Sequence, residues 1–300
     1  AVAACAAVAA APTLPVFLAA HALVGLASAA LLTGGFSGVA AFPPERRAWA
    51  MGYVAGANAL AWIVVNPLVG ALTDWVSWRV AHAVPAGIAV GALWLAGRAA
   101  PVSAGGPTAR LRDLLAERSA RGWLVAELLA YAAWTALLTY VGAFFIETLG
   151  VRPVAAGWML AAGAAAYFAA STRSGALADR VPPRSLVAGA ALLMAGLVAV
   201  QLNIDRLPIL AVAIFCAVGV AAGVRTPASG TLGLGLLPRS PGAMMAVRTA
   251  ATQLGYLLGA VIGGAVIAVA DFGLLGIVLA AGMAVSAVLI LRVPEARENG

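Results

Sequence analysis

Lysine is absent from this chain of 300 residues, histidine and cysteine occur twice each, and only 11 residues are acidic. Charged residues make up 10% of the sequence, far below the quarter or so of soluble domains, while 63% are hydrophobic and mean hydropathy is +1.01. So little charge excludes a soluble globular domain and marks an integral membrane protein. Cys5 and Cys216 both lie in apolar runs, where a thiol acts as a small hydrophobe, so neither a disulfide nor a metal site is expected. Two histidines are too few to suggest a metal centre, and no cofactor is expected. The use of arginine for every basic residue, with abundant alanine and glycine, reads as a compositional bias and carries no function.

The ten-residue alternation of a transmembrane barrel is also missing. Lipid leaves only helices and closed barrels as spanning structures, because unpaired backbone amides are too costly there, so the expected fold is an all-α polytopic helix bundle. Runs long enough to cross a bilayer, about 20 residues each, lie near 14–36, 51–72, 80–97, 122–145, 154–172, 185–202, 208–228, 246–268 and 272–291. Residues 1–11 would rise only about 16 Å as helix against a core of roughly 30 Å. They are expected to be part of a further span, which makes roughly ten passages.

A net charge of +7 would suit nucleic acid, but the arginines alternate by loop. Arg46, Arg47, Arg98, Arg110, Arg112, Arg118, Arg121, Arg173, Arg180, Arg184, Arg239, Arg292 and Arg297 fall on one side. Arg79, Arg152 and Arg206 fall on the other. The positive-inside rule puts the first set in the cytoplasm, and no nucleic-acid partner is expected.

The segment from Arg98 to Arg121 divides four spans from six and reads as a linker followed by a short amphipathic surface helix. Three units follow: a helical module at 1–97, a cytoplasmic linker at 98–121, and a six-helix module with a short tail at 122–300. "NPLVGA" at 66–71 and "GAVIGG" at 259–264 stand about 193 residues apart, each some twenty residues after a Pro-containing loop. That distance fits a six-helix module plus its linker, so the first module is expected to lack two helices.

Between two apolar runs stands "SGALADRVPPRSLVAG", residues 174–189. It resembles the loop signature of the major facilitator superfamily, a Gly-x-Leu-Ala-Asp-Arg core followed by a turn and a further basic residue. "FLAAHALVGLASAA" at 17–30 resembles the superfamily's fourth helix, with His21 where an arginine is usual. "NPLVGA" resembles the fifth-helix element of the antiporters, with Asn66 and Ala71 in place of glycines, and "WVSWR" at 75–79 resembles the opening of the sixth. The resemblance implies family helices three to twelve, a two-module fold, and a gate at Gly175, Asp179, Arg180 and Arg184.

It also indicates which faces would line a central cavity. Glu127, Tyr131 and Trp134 share a face of the seventh family helix by i, i+4, i+7 spacing. Glu127 reads either as a proton carrier or as a helix-end residue paired with an arginine. Arg225 lies inside the tenth span, where a cation holds an anionic substrate or a buried carboxylate, or else snorkels to the cytoplasmic end. His21 is either a titrating group or a packing residue. Asn58, Trp62 and Asn66 on the fifth helix and Thr249, Gln253 and Tyr256 on the eleventh form stripes that suit a cavity wall or interhelical hydrogen bonds.

The expected function is secondary transport: a proton-coupled exporter of small organic molecules or drugs, multi-pass in a bacterial cytoplasmic membrane and working by alternating access. No G-x-x-x-x-G-K-[ST] loop points to ATP, and no HExxH or Ser/His/Asp set points to an enzyme. Two alternatives stay open: a ten-helix drug/metabolite exporter, and a non-transporting scaffold or receptor.

Overall fold

A computed structural model of the chain describes residues 1–96, 98, 116–178, 180–205, 207–236 and 240–293. The elements are α1 (Val2–Ala9), α2 (Leu14–Gly38), α3 (Pro44–Trp75), α4 (Trp78–Ala81), α5 (Ala83–Ala96), α6 (Arg118–Glu147), α7 (Pro153–Ala178), α8 (Pro183–Gln201), α9 (Pro208–Leu236), α10 (Pro241–Val269) and α11 (Phe272–Leu291). With α4 and α5 taken together, the described helices fall on the ten apolar stretches of the sequence, α1 being shorter than a span. Among the described residues, six helices are long and apolar enough to cross a membrane.

Proline marks where these helices start. Pro15, Pro44, Pro183 and Pro241 occupy the first turns of α2, α3, α8 and α10, where the missing N–H would have had no intrahelical partner. Where proline is lacking, a carboxylate does the capping: Asp271 accepts from the Leu274 amide at 2.8 Å to open α11. Arg118 to Arg121, expected in a separate surface helix, form the first turn of α6, and residues 99–115 of the linker lie outside the described residues. The fifth-span helix α3 begins earlier than its apolar run and continues to Trp75.

Outward-facing side chains are as apolar as the interior. Ile209 is 86% exposed and Val269 85%, exposures that suit hydrocarbon and not water. With lipid outside, burial of oil cannot drive helix pairing, and close approach of small residues does. Gly255 and Gly259 of α10 meet the backbone of α6 at Leu128 and Ala132, and Gly219 and Gly223 of α9 meet that of α7 at Gly163 and Tyr167. A Cβ at Gly259 would overlap the Ala132 carbonyl. These contacts couple α6 to α10 and α7 to α9, while α8 packs on α9 and α11, α3 on α7 and α9, and α2 on α10.

Two apolar cores stack along the helices. One, at the arginine-rich ends, holds Met51, Trp123, Val187, Leu234, Met245 and Ile290. The other, toward the opposite ends, holds Leu137, Phe144, Met194, Phe215, Leu275 and Met283. Among the described residues, only the first includes side chains from α3.

A buried charge cluster between the two cores

Glu127 follows Ala126 of the first core and precedes Ala130 of the second; Arg225 falls between Ala222 and Ala228 in the same way. The two side chains therefore meet at the seam between the cores, deep in the bundle. Arg225 Nη2 donates to Glu127 Oε1 at 2.6 Å. From α10, Arg248 Nε donates to Oε2 at 2.8 Å. All three residues are buried, Glu127 completely.

The surrounding groups satisfy the guanidinium donors and orient them. Arg248 Nη2 reaches the Thr226 carbonyl at 3.3 Å and the Tyr131 hydroxyl at 3.4 Å. Thr226 precedes Pro227, which has no N–H to give to the backbone carbonyl one turn earlier and so loosens the α9 hydrogen-bond ladder at this level. Arg225 Nη2 lies 3.5 Å from the Ser286 hydroxyl, which itself donates to the Ala126 carbonyl at 2.8 Å. Aromatic faces surround the cations: Arg225 and Arg248 lie 6.0 and 5.9 Å from the Tyr131 ring, and Arg248 lies 5.1 Å from Phe36 of α2. Nearby, the Trp123 indole N–H donates to Ser229 Oγ at 3.0 Å.

One carboxylate between two guanidiniums leaves a surplus positive charge. Taking such a charge out of water costs several kcal/mol unless it is compensated. Among the described residues Glu127 is the one buried acid, and Arg225 Nε is buried without a partner.

The structure brings together Glu127, Tyr131 and Arg225. Tyr256 joins at the edge, its ring 5.7 Å from that of Tyr131. Trp134 stacks on Tyr167 at 6.3 Å and lines a cavity of about 10 Å³ with Tyr131, Arg225 and Thr226. Thr249 and Gln253 lie elsewhere, on an open groove between α2 and α10 in which the Thr33 hydroxyl donates to Thr249 Oγ1 at 3.3 Å. The expected stripe on α10 is thus split between a groove and a buried face, with Gln253 exposed.

His21 is far from the cluster. It is exposed on α2, its Nδ1 3.2 Å from the Phe17 carbonyl and its ring 5.6 Å from His82. Asn58, Trp62 and Asn66 belong to α3, but their side chains lie outside the described residues, as does Asp179. Gly175 packs on the Trp49 backbone of α3. Arg180 is exposed, and Arg184 Nη1 donates to the Val293 carbonyl at 3.4 Å.

Arg248 is the residue that sequence reasoning missed. It stands near the start of α10, and only the small and polar neighbours Thr249, Thr252 and Gly255 distinguish it from the loop arginines.

Known proteins share this architecture. The Escherichia coli fucose:proton symporter FucP superimposes with a TM-score of 0.78 over 98% of this chain and 82% of that one, at 15% identity. The human organic anion transporter MFSD10 (TETRAN) does so with a TM-score of 0.74 over 96% and 74%, at 18% identity. No curated protein matches the sequence. At these identities the likeness is one of fold, and the sequence itself supplies the kinship: the family model of the Major Facilitator Superfamily matches residues 123–300, from within the first turns of α6 onward. The protein is a multi-pass membrane protein that belongs to the Major Facilitator Superfamily.

Proposed function

We propose that the protein is a proton-coupled secondary transporter that exports small organic molecules by alternating access, with the arginine-rich ends in the cytoplasm. Residues 1–97 and 122–300 act as the two moving modules and 98–121 as their tether. The observation that carries this reading is the Glu127 carboxylate, held between arginines of α9 and α10 at the seam of the bundle. An acid that ties two helices to a third is suited to exchange a proton for movement. While ionised it clamps α9 and α10 to α6. A proton on the carboxylate cancels its charge and releases both guanidiniums.

The arrangement at the cytoplasmic ends supports the alternating part. Gly175 of α7 lies against Trp49 of α3, Gly52 and Gly56 lie against Ser171 and Thr172, and Met51 lies against Gly230 of α9. These contacts join the modules on one side, and a second state would have to part them. Gly175 fills the gating role because a side chain there would meet the α3 backbone. Tyr131, Trp134, Arg225 and Tyr256 would face the substrate, and Thr249 and Gln253 would flank the path from the α2–α10 groove. The fucose:proton symporter of the same fold is an instance of proton coupling on this architecture.

The test is flux in proteoliposomes. With the purified chain in the bilayer, a panel of organic dyes should move faster under an imposed pH gradient than in liposomes without protein. Flux that ignores the gradient for every dye would remove the proton from the proposal.

A further inference from the structure

Resting on the transport reading above, we infer that the substrate is an organic anion, a carboxylate on an apolar aromatic body, whose charge is taken by Arg225. The first ground is the charge count. Both oxygens of Glu127 are committed, one to each arginine, and among the described residues no second buried acid faces the surplus guanidinium charge. In a low-dielectric seam the ligand that lowers the energy most is the one that brings the missing negative charge. An ammonium group would add a like charge beside two guanidiniums, and a neutral group would leave the surplus as it is.

The second ground is the free donor. Arg225 Nε is buried and has no partner, while Nη2 of the same side chain serves Glu127 and Ser286. Nε shares its edge of the guanidinium with Nη2, so a carboxylate takes the free Nε–H and competes with Glu127 for the neighbouring Nη2–H. Arg225 borders the cavity formed with Tyr131, Trp134, Thr226, Met194 and Met283. Lined wholly from α6, α8, α9 and α11, this cavity of about 10 Å³ holds no more than a water, so the ligand enters when these helices move apart.

The third ground is the wall. The paired rings of Tyr131 with Tyr256 and of Trp134 with Tyr167, and the two methionines, offer flat and adaptable apolar surface for an aromatic body. The anion competes with Glu127 for Arg225, so substitution of Glu127 by a neutral residue strengthens anion binding as it disables proton coupling.

The probes are 2-naphthoate, its neutral amide and 2-naphthylmethylammonium, titrated into the purified chain with tryptophan fluorescence as readout. Naphthoate should bind saturably and about tenfold tighter than the amide, a difference of about 1.4 kcal/mol, and the ammonium should be weakest. Arg225→Gln should bring naphthoate to the level of the amide, Arg225→Lys should fall between, and Glu127→Gln should bind naphthoate at least as tightly as the native chain. Equal binding of naphthoate and amide by the native protein, preference for the ammonium, or binding of none of the three overturns the inference without reference to any variant's folding. The outcomes separate the two readings. Flux driven by a pH gradient without anion preference sinks this inference alone, whereas Arg225-dependent naphthoate binding with flux indifferent to pH sinks the proton coupling alone.

Discussion

Arg225 and Arg248, on consecutive helices, donate to different oxygens of one carboxylate: Arg225 to Oε1 of Glu127 at 2.6 Å and Arg248 to Oε2 at 2.8 Å. Among the described residues the acid is therefore the single point at which α6, α9 and α10 are tied by charge. Removing it leaves two buried cations facing each other.

Glu127→Ala is expected to destabilise the protein by about 3–5 kcal/mol, the range for breaking a buried ion pair on one side. Replacing Glu127, Arg225 and Arg248 together by leucine should cost less than the single change, because no uncompensated charge remains. Thermal unfolding in detergent, followed by loss of monodisperse protein, checks the order. A triple variant less stable than Glu127→Ala would show that the triad is held together by more than its mutual charge.

Trp123 and Ser229 are both buried, and the indole N–H has the serine hydroxyl as its partner at 3.0 Å. Ser229→Ala should cost about 1–3 kcal/mol, the penalty of an orphaned buried donor. Combined with Trp123→Phe, it should cost less than the sum of the two single changes, since the orphan then disappears. Additive losses in the same thermal assay would mean that the hydrogen bond contributes nothing.

A Cβ on Gly175 would lie 2.9 Å from Trp49 Cα, a backbone atom that cannot turn aside as a side chain can. Gly175→Val should part α3 from α7 at the arginine-rich ends. Ser171, fully buried beside this contact, then serves as a reporter. A Ser171→Cys variant should react with a maleimide several times faster when Gly175→Val is present, and an unchanged rate would contradict the gating role.

The orientation has its own check. Asp205→Cys should label in intact cells with a membrane-impermeant reagent, and Arg180→Cys should label only after permeabilisation, because arginines cluster on the side of Arg180. The reverse pattern would invert the topology.

Much of the scaffold was legible because single residues encode it. Prolines such as Pro183 and Pro241 sit where helices begin, and the apolar runs set where they end. The loop at Gly175 carries the resemblance to the superfamily, and the family match over residues 123–300 bears it out. Glu127 and Arg225 were legible too, since an ionisable group inside an apolar span calls for a partner. Their pairing with Arg248 was not, because it is made across three helices and Arg248 follows the start of α10 closely enough to resemble a helix-end cation. In sequence, Gln253 shares a stripe with Thr249 and Tyr256 that suits a cavity wall or interhelical hydrogen bonds. Yet the rotation of α10 is set by Gly255, Gly259 and Gly263 against α6, and that rotation turns Gln253 outward. In lipid the small residues choose the face, and a polar stripe follows where it is carried.

The central claim is that Glu127 couples a proton to movement, and the most direct measurement compares two fluxes in one preparation. Liposomes containing Glu127→Gln, alongside liposomes containing the native chain, are assayed for accumulation of a transported dye under a pH gradient and for exchange of the same dye at equal pH. The account predicts that the variant loses gradient-driven accumulation while dye exchange continues. Accumulation equal to that of the native protein would contradict it.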